Sequence, residues 1–169
     1  MTADNDNSIQ SQGLYVWQVD NLLAATATLG GHWQFADGQV TSSNNSTDAS
    51  KLISSTRIAT DTRTIKAGDI FLALSGDNFD GHDYIATAIE QGAVAAIVSR
   101  PISADIAQLV VSDTRLALGQ LAAYRRQQHK NLTVIAITGS SGKTTCKEML
   151  GSIFGRLAPT LITRGNLNN

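Results

Sequence analysis

Apolar positions along this chain alternate between two periods. Val16, Val19, Leu22, Leu23 and Ala27 recur at helical spacing, and Gly30-Gly31 ends the pattern, which predicts a helix over residues 16–29. Trp33 and Phe35 alternate with polar neighbours, as in a short strand. Residues 52–59 read as another strand. Residues 70–74 form a near-continuous apolar run, the pattern of a strand covered on both faces. A helix over residues 83–91 would bury Ile85, Ala88 and Ile89, with Gly92 as its stop. Strands follow at 94–98 and 109–111. Ser112-Asp113 can cap a helix over 114–128, with Leu118, Leu121 and Ala122 as its core stripe and Arg125 and Arg126 at the end where the dipole favours cations. Further on, 134–137 reads as a strand, 143–154 as a helix and 161–163 as a short strand. Strands alternating with helices predict an α/β fold with a largely parallel sheet.

Two polar stretches interrupt this order. The first, residues 1–15, is polar for most of its length and is expected to be disordered. It carries Asp4 and Asp6 but no Lys or Arg, so it does not read as a signal peptide. The second, residues 37–50, is rich in Ser, Asn, Thr and Asp and reads as a mobile insertion.

Composition narrows the function classes. A length of 169 residues suits one domain, or one small domain plus part of another. The net charge of −1 gives no electrostatic case for a nucleic-acid partner or an anionic membrane. No apolar run approaches the ~20 residues of a membrane helix. A cytoplasmic monomer without membrane insertion is expected. Cys146 is the single cysteine, which rules out an internal disulfide; it is expected to pack beneath a loop.

The chemistry concentrates in residues 134–145, where an apolar strand, a Gly/Ser turn and a helix follow one another. Gly139 and Gly142 let backbone N–H groups curl around an anion, and the helix start adds unpaired N–H groups. Ser140, Ser141 and Thr145 complete the loop. Lys143 supplies a mobile positive charge for terminal phosphates, and the Thr144 hydroxyl is placed to ligate an accompanying Mg²⁺. Ile137 stands where the strict phosphate-loop pattern has its first glycine, so a Gly/Ser turn with a surface lysine is the alternative. Two other clusters follow strands. Asp61-Thr62-Arg63 offers a guanidinium held by a carboxylate, or simply a capped turn. Asn78-Phe79-Asp80-Gly81-His82 combines amide, ring and imidazole in a way that suits a nucleotide, or is a solvated loop.

In order and spacing these clusters resemble one family. Thr60-Asp61-Thr62-Arg63, with Gly68-Asp69-Ile70-Phe71-Leu72-Ala73-Leu74 and Asp80-Gly81-His82-Asp83 after it, resembles the UDP-binding domain of the Mur ligases. Residues 138–145 resemble their ATP loop. Thr163-Arg164-Gly165-Asn166-Leu167-Asn168-Asn169 resembles the segment of the member that joins D-alanyl-D-alanine to UDP-N-acetylmuramoyl tripeptide. The resemblance covers about residues 52–169.

The resemblance implies an ATP-dependent ligase of peptidoglycan synthesis. The peptide's terminal carboxylate is phosphorylated, and the acyl phosphate is then attacked by the dipeptide's amine. Gly139, Ser140, Ser141, Gly142, Lys143, Thr144 and Thr145 would hold ATP, with Lys143 catalytic and Thr144 on Mg²⁺. Asp61, Thr62, Arg63, Asn78, Asp80, Gly81 and His82 would hold the UDP-sugar, and Asn166, Asn168 and Asn169 would sit near its junction with the γ-phosphate. Residues 16–130 would form the UDP-substrate domain. Residues 131–169 would begin a central ATP-binding domain, truncated here and inactive alone, with the dipeptide site outside the chain. The sister ligase that adds the third amino acid to the UDP-muramoyl dipeptide, and a UDP-sugar-binding module without catalysis, are the competing readings.

Overall fold

A computed structural model describes residues 15–36, 40–41, 53–76 and 79–163. It divides into a unit over Leu14–Lys130 and a unit containing Asn131–Asn169. The expectation of disorder over 1–15 falls almost wholly outside the described residues, as does most of the 37–50 stretch.

In the first unit, β1 (Trp17–Gln18) leads into α1 (Val19–Thr26). The helix begins later than the periodicity suggests because the Gln18 backbone N–H bonds Asn21 Oδ1 at 2.8 Å in a capping box. Next come β2 (His32–Gln34) and β3 (Val40–Thr41). β3 pairs antiparallel with β2, so the stretch read as a mobile insertion contributes a strand at its one valine. The strand expected over 52–59 is broken in two. β4 (Ser54–Ser55) pairs with β1, whereas β5 (Ile58–Ala59) joins the main sheet.

After β6 (Ile70–Leu72), a hairpin not foreseen from the pattern is formed by β7 (Ser75–Gly76) and β8 (Phe79–Asp80). The helix expected over 83–91 opens as a 3-10 turn at Gly81–Tyr84 and continues as α2 (Ile85–Glu90). β9 (Ala95–Val98), β10 (Ala107–Val110) and α3 (Thr114–Gln128) complete the unit.

The main sheet has the order β3-β2-β10-β9-β6-β5. β10, β9, β6 and β5 run parallel, and β2 and β3 pair antiparallel at one side. Strand alternation divides the core between the two faces. Ile70, Leu72, Ile97 and Leu109 pack with Leu22, Trp33 and Leu121, on the face covered by α1 and α3. Phe71, Ala96, Val98 and Val110 pack with Ile85 and Ala88, on the face covered by α2. Every residue of β6 and β9 is buried, which is why their sequences show no polar alternation.

The Asp113 carboxylate accepts from the backbone N–H groups of Arg115 and Leu116 and caps α3. The buried stripe of α3 is Thr114, Ala117 and Leu121; Leu118 is 38% exposed and Ala122 also faces solvent. The expected stripe was rotated because Ala117, not Leu118, meets α1 and the sheet.

In the second unit, α4 (Lys143–Phe154) forms as expected. Residues 134–137 and 161–163 are not strands, because a strand exists only through its ladder and no described residue of this unit pairs with them. None of α4 is buried, and Met149 is 62% exposed. Among the described residues no helix is long and apolar enough to cross a membrane.

Amide hydrogen exchange is therefore expected to be slowest in β6 and β9 and faster by orders of magnitude in α4, which lacks buried contacts. Equal protection of α4 would contradict this account of the two units.

Candidate functional site

The carboxyl ends of β5, β6, β9 and β10 share one edge of the sheet, where open α/β sheets bind ligands. Two of the sequence clusters meet there. After β5, Asp61 accepts from the Arg63 backbone N–H at 3.0 Å and caps a 3-10 turn over Thr62–Thr64. Its carboxylate also receives Arg63 Nε and Nη2, the latter at 2.6 Å. Arg63 is thus held in a fixed pose with 86% of its side chain exposed. The side-chain bond from Arg63 holds the Asp61 carboxyl below its usual range.

After β6, the hairpin returns the chain to the sheet. The Gly81 N–H bonds Leu74 O at 2.7 Å. A Cβ at Gly81 would lie 2.6 Å from that oxygen and 2.8 Å from Leu74 N, so this approach needs glycine. Phe79 and Tyr84 stack with ring centroids 5.7 Å apart and remain 47% and 44% exposed. The turn from Thr60 to Arg63, these two rings and the buried Phe71 line a cleft of about 390 Å³. That size lies within the range of small-ligand pockets. It offers one fixed guanidinium, hydroxyls and an aromatic surface, which together suit a nucleotide.

Asp80 and His82 lie beside this cleft and have a different task from the one expected. The His82 side chain is fully buried. Its Nδ1 lies 2.5 Å from Asp80 Oδ1, and its Nε2 lies 3.0 Å from the Ser99 backbone N–H. An amide N–H can only donate, so Nε2 accepts and the ring proton sits on Nδ1, facing Asp80. No ring nitrogen is left for a ligand. The sequence reading placed His82 on the substrate; the structure makes it the bolt between the hairpin and the end of β9. Asp80 also accepts from the His82 N–H and from Ser75 Oγ, both at 3.0 Å, and from Arg100 at 2.7 Å. The backbone bond from His82, then the Arg100 and His82 side chains, push its carboxyl far below the usual range.

Tyr84 was not foreseen as a lining residue. The available signal was a second aromatic residue close behind Phe79 in a chain with only 5% aromatic residues. Asn78, Asn166, Asn168 and Asn169 lie outside the described residues.

The glycine loop is in the second unit. Gly142 has φ +76°, which favours glycine, and caps α4 so that the helix starts at Lys143. Lys143 Nζ reaches back to Gly139 O at 2.5 Å, across the loop. Ser140, Ser141, Thr144 and Thr145 are exposed around it. A left-handed glycine, a helix start and a cation over one turn fit an anion such as a nucleotide phosphate. Cys146 was expected to be packed; it is exposed, because no described residue of this unit covers the start of α4.

Both lowered carboxyls carry the same pH sign. Their stabilisation is complete above the ordinary carboxylate pKa of about 4 and is lost as pH falls through the lowered values. Thermal melts of Asp80→Asn are expected to show lower stability at neutral pH and a flatter decline below about pH 4 than the parent chain. An unchanged acid limb would contradict the role given to Asp80.

A model of the Mur ligase family, catalytic domain, matches residues 55–126. UDP-N-acetylmuramoyl-tripeptide–D-alanyl-D-alanine ligase of Escherichia coli (strain K12) is 52% identical over 112 residues, covering 66% of this chain and 25% of that protein. The chain thus spans about a quarter of the length of the curated relative it matches. Among solved structures, MurF from Acinetobacter baumannii superposes with a TM-score of 0.77 at 54% identity, covering 92% of this chain and 31% of that one. MurF ligase from Thermotoga maritima in complex with ADP gives a TM-score of 0.57 at 36% identity, covering 66% and 26%. The cleft-forming turn and hairpin both fall inside the matched segment, and on this ground the chain belongs to the Mur ligase family.

Proposed function

We propose that this chain is the UDP-substrate-binding unit and phosphate loop of an ATP-dependent ligase that joins D-alanyl-D-alanine to UDP-N-acetylmuramoyl tripeptide in peptidoglycan synthesis. The observation that carries the reading is the cleft between the Arg63 turn and the Phe79–Tyr84 pair, built by residues within the family match. The name of the E. coli relative supports the choice of tripeptide and dipeptide.

In this reading the uracil ring lies against Phe79 and Tyr84, while Thr62 and Arg63 bind the uridine and its diphosphate. Asp61 aims Arg63; Asp80, Gly81 and His82 hold the hairpin in place. Residues 131–169 begin an ATP-binding domain. Gly139 to Thr145 would hold the ATP phosphates and Thr144 would ligate Mg²⁺. ATP, when bound, supplies the phosphoryl group that activates the peptide carboxylate. Lys143 leaves Gly139 O to neutralise charge on the transferred group. The protein works in the cytoplasm as a monomer.

Phosphate release by the full-length protein carrying this sequence tests the proposal. It is expected only when UDP-muramoyl tripeptide, D-alanyl-D-alanine and Mg-ATP are all present. Arg63→Ala should raise KM for the UDP-substrate by about tenfold or more, and Lys143→Ala should lower kcat by at least about 100-fold. Turnover with UDP-muramoyl dipeptide and a diamino acid instead would assign the chain to the sister ligase. Binding of the UDP-substrate without turnover would leave a binding module.

A further inference from the structure

The bolt formed by His82 also fixes what Asp80 presents to solvent. A fully buried imidazole and a loop hydroxyl both hold Asp80, yet on its outer side Asp80 holds only Arg100, at 2.7 Å. Exposed ion pairs contribute little to stability. Three of the contacts fall on Oδ1 and hold the hairpin, while Oδ2 faces Arg100 and fixes the pose of its guanidinium.

Arg100 stands where a ligand would meet it. It follows β9, whose carboxyl end opens on the same edge of the sheet as the cleft. β9 and β5 are the two neighbours of β6, so their ends lie two strand spacings apart, about 10 Å. Extended arginine side chains from both positions can converge over that span. The β7–β8 hairpin rises between them. Phe79 and Asp80 are consecutive in β8, so they leave opposite faces of it: Phe79 enters the cleft beside Arg63, and Asp80 turns to Arg100.

The two arginines are built alike. Each is carried on the loop after a parallel strand, and each is fixed by an aspartate that is itself pinned by a backbone N–H two residues further on. Among the described residues Asp80 is the only partner of the Arg100 guanidinium, whose side chain is 55% exposed. Charge points the same way. A diphosphate carries two negative charges, and each guanidinium, held by one aspartate, still has N–H donors directed to solvent, so a second arginine beside Arg63 matches the second phosphate. Arg57, the other arginine near β5, is already committed to the buried Asp69.

We propose that Arg100 is a second anion-binding guanidinium of the nucleotide site, contacting the diphosphate from the opposite side of the hairpin to Arg63. Asp80 and His82 are its positioning residues. The inference rests on the nucleotide reading of the cleft and adds to it a residue outside that cleft.

Calorimetric titration of this chain with UDP and, separately, with uridine tests it. Arg100→Ala is expected to weaken UDP binding by about tenfold or more and leave uridine binding unchanged, because uridine has no phosphate. Arg100→Lys should recover only part of the loss, since an ammonium lacks the planar fork. Asp80→Asn should weaken UDP by more than it weakens uridine, because it loosens the hairpin that carries Phe79 and also releases Arg100. Arg115→Ala, the same charge change beyond β10, should leave UDP affinity unaltered. UDP binding lost in Arg63→Ala but retained in Arg100→Ala would overturn this inference and leave the nucleotide reading standing. Equal losses for UDP and uridine in Arg100→Ala would mean a structural role only and would also overturn it. If the parent chain bound neither ligand, the nucleotide reading would fail and this inference with it.

Discussion

The His82 imidazole uses both of its nitrogens inside the protein, and the candidate site depends on that. One nitrogen takes the backbone N–H of Ser99 at the end of β9; the other faces Asp80 in the hairpin. Two loops that leave different strands are thereby locked together through one buried side chain. A water-exposed histidine at this place would exchange these bonds for bonds to solvent. Buried, it keeps them, because releasing either would leave a polar group unpaired. The small hairpin gains from this a rigidity that its two-residue strands could not supply.

The sheet beneath explains why the lock is worth having. β6 and β9 are covered on both faces, so they cannot shift to accommodate a ligand. Their carboxyl ends are fixed points. What varies at that edge is carried on short loops, each closed by its own aspartate cap. Asp61 caps the turn that bears Arg63, Asp80 caps the turn that bears His82, and Asp113 caps α3 after β10. The same local chemistry, a carboxylate accepting backbone N–H groups, recurs in the turns after β5, β8 and β10. At two of them it also holds a guanidinium.

Much of this was legible in the residues. The apolar runs at 70–74 and 94–98 announced strands buried on both sides, and the glycine loop announced the helix from Lys143. Local pattern failed where long-range contacts decide. Ser54–Ser55 and Ile58–Ala59 read as one strand, but the first pairs with β1 and the second with β6. The stripe on α3 was rotated by one position, because Leu118 is the more apolar of the two in the sequence and only packing against α1 and the sheet puts Ala117 inside. Val134 to Ile137 have strand composition, yet without a described neighbour to pair with they form no ladder. His82 was misread for a related reason: a polar residue in a loop is exposed unless tertiary contacts enclose it, and Ser99 lies seventeen residues away.

The central claim is that nucleotide binding resides at the carboxyl edge of the parallel sheet. Nuclear magnetic resonance chemical-shift mapping of the ¹⁵N-labelled chain with UDP addresses it most directly. The account predicts that the largest shifts fall on residues 60–63 and 79–84, with Ser99 and Arg100 following. Shifts confined to residues 139–145, or spread over the solvent face of α3, would contradict it.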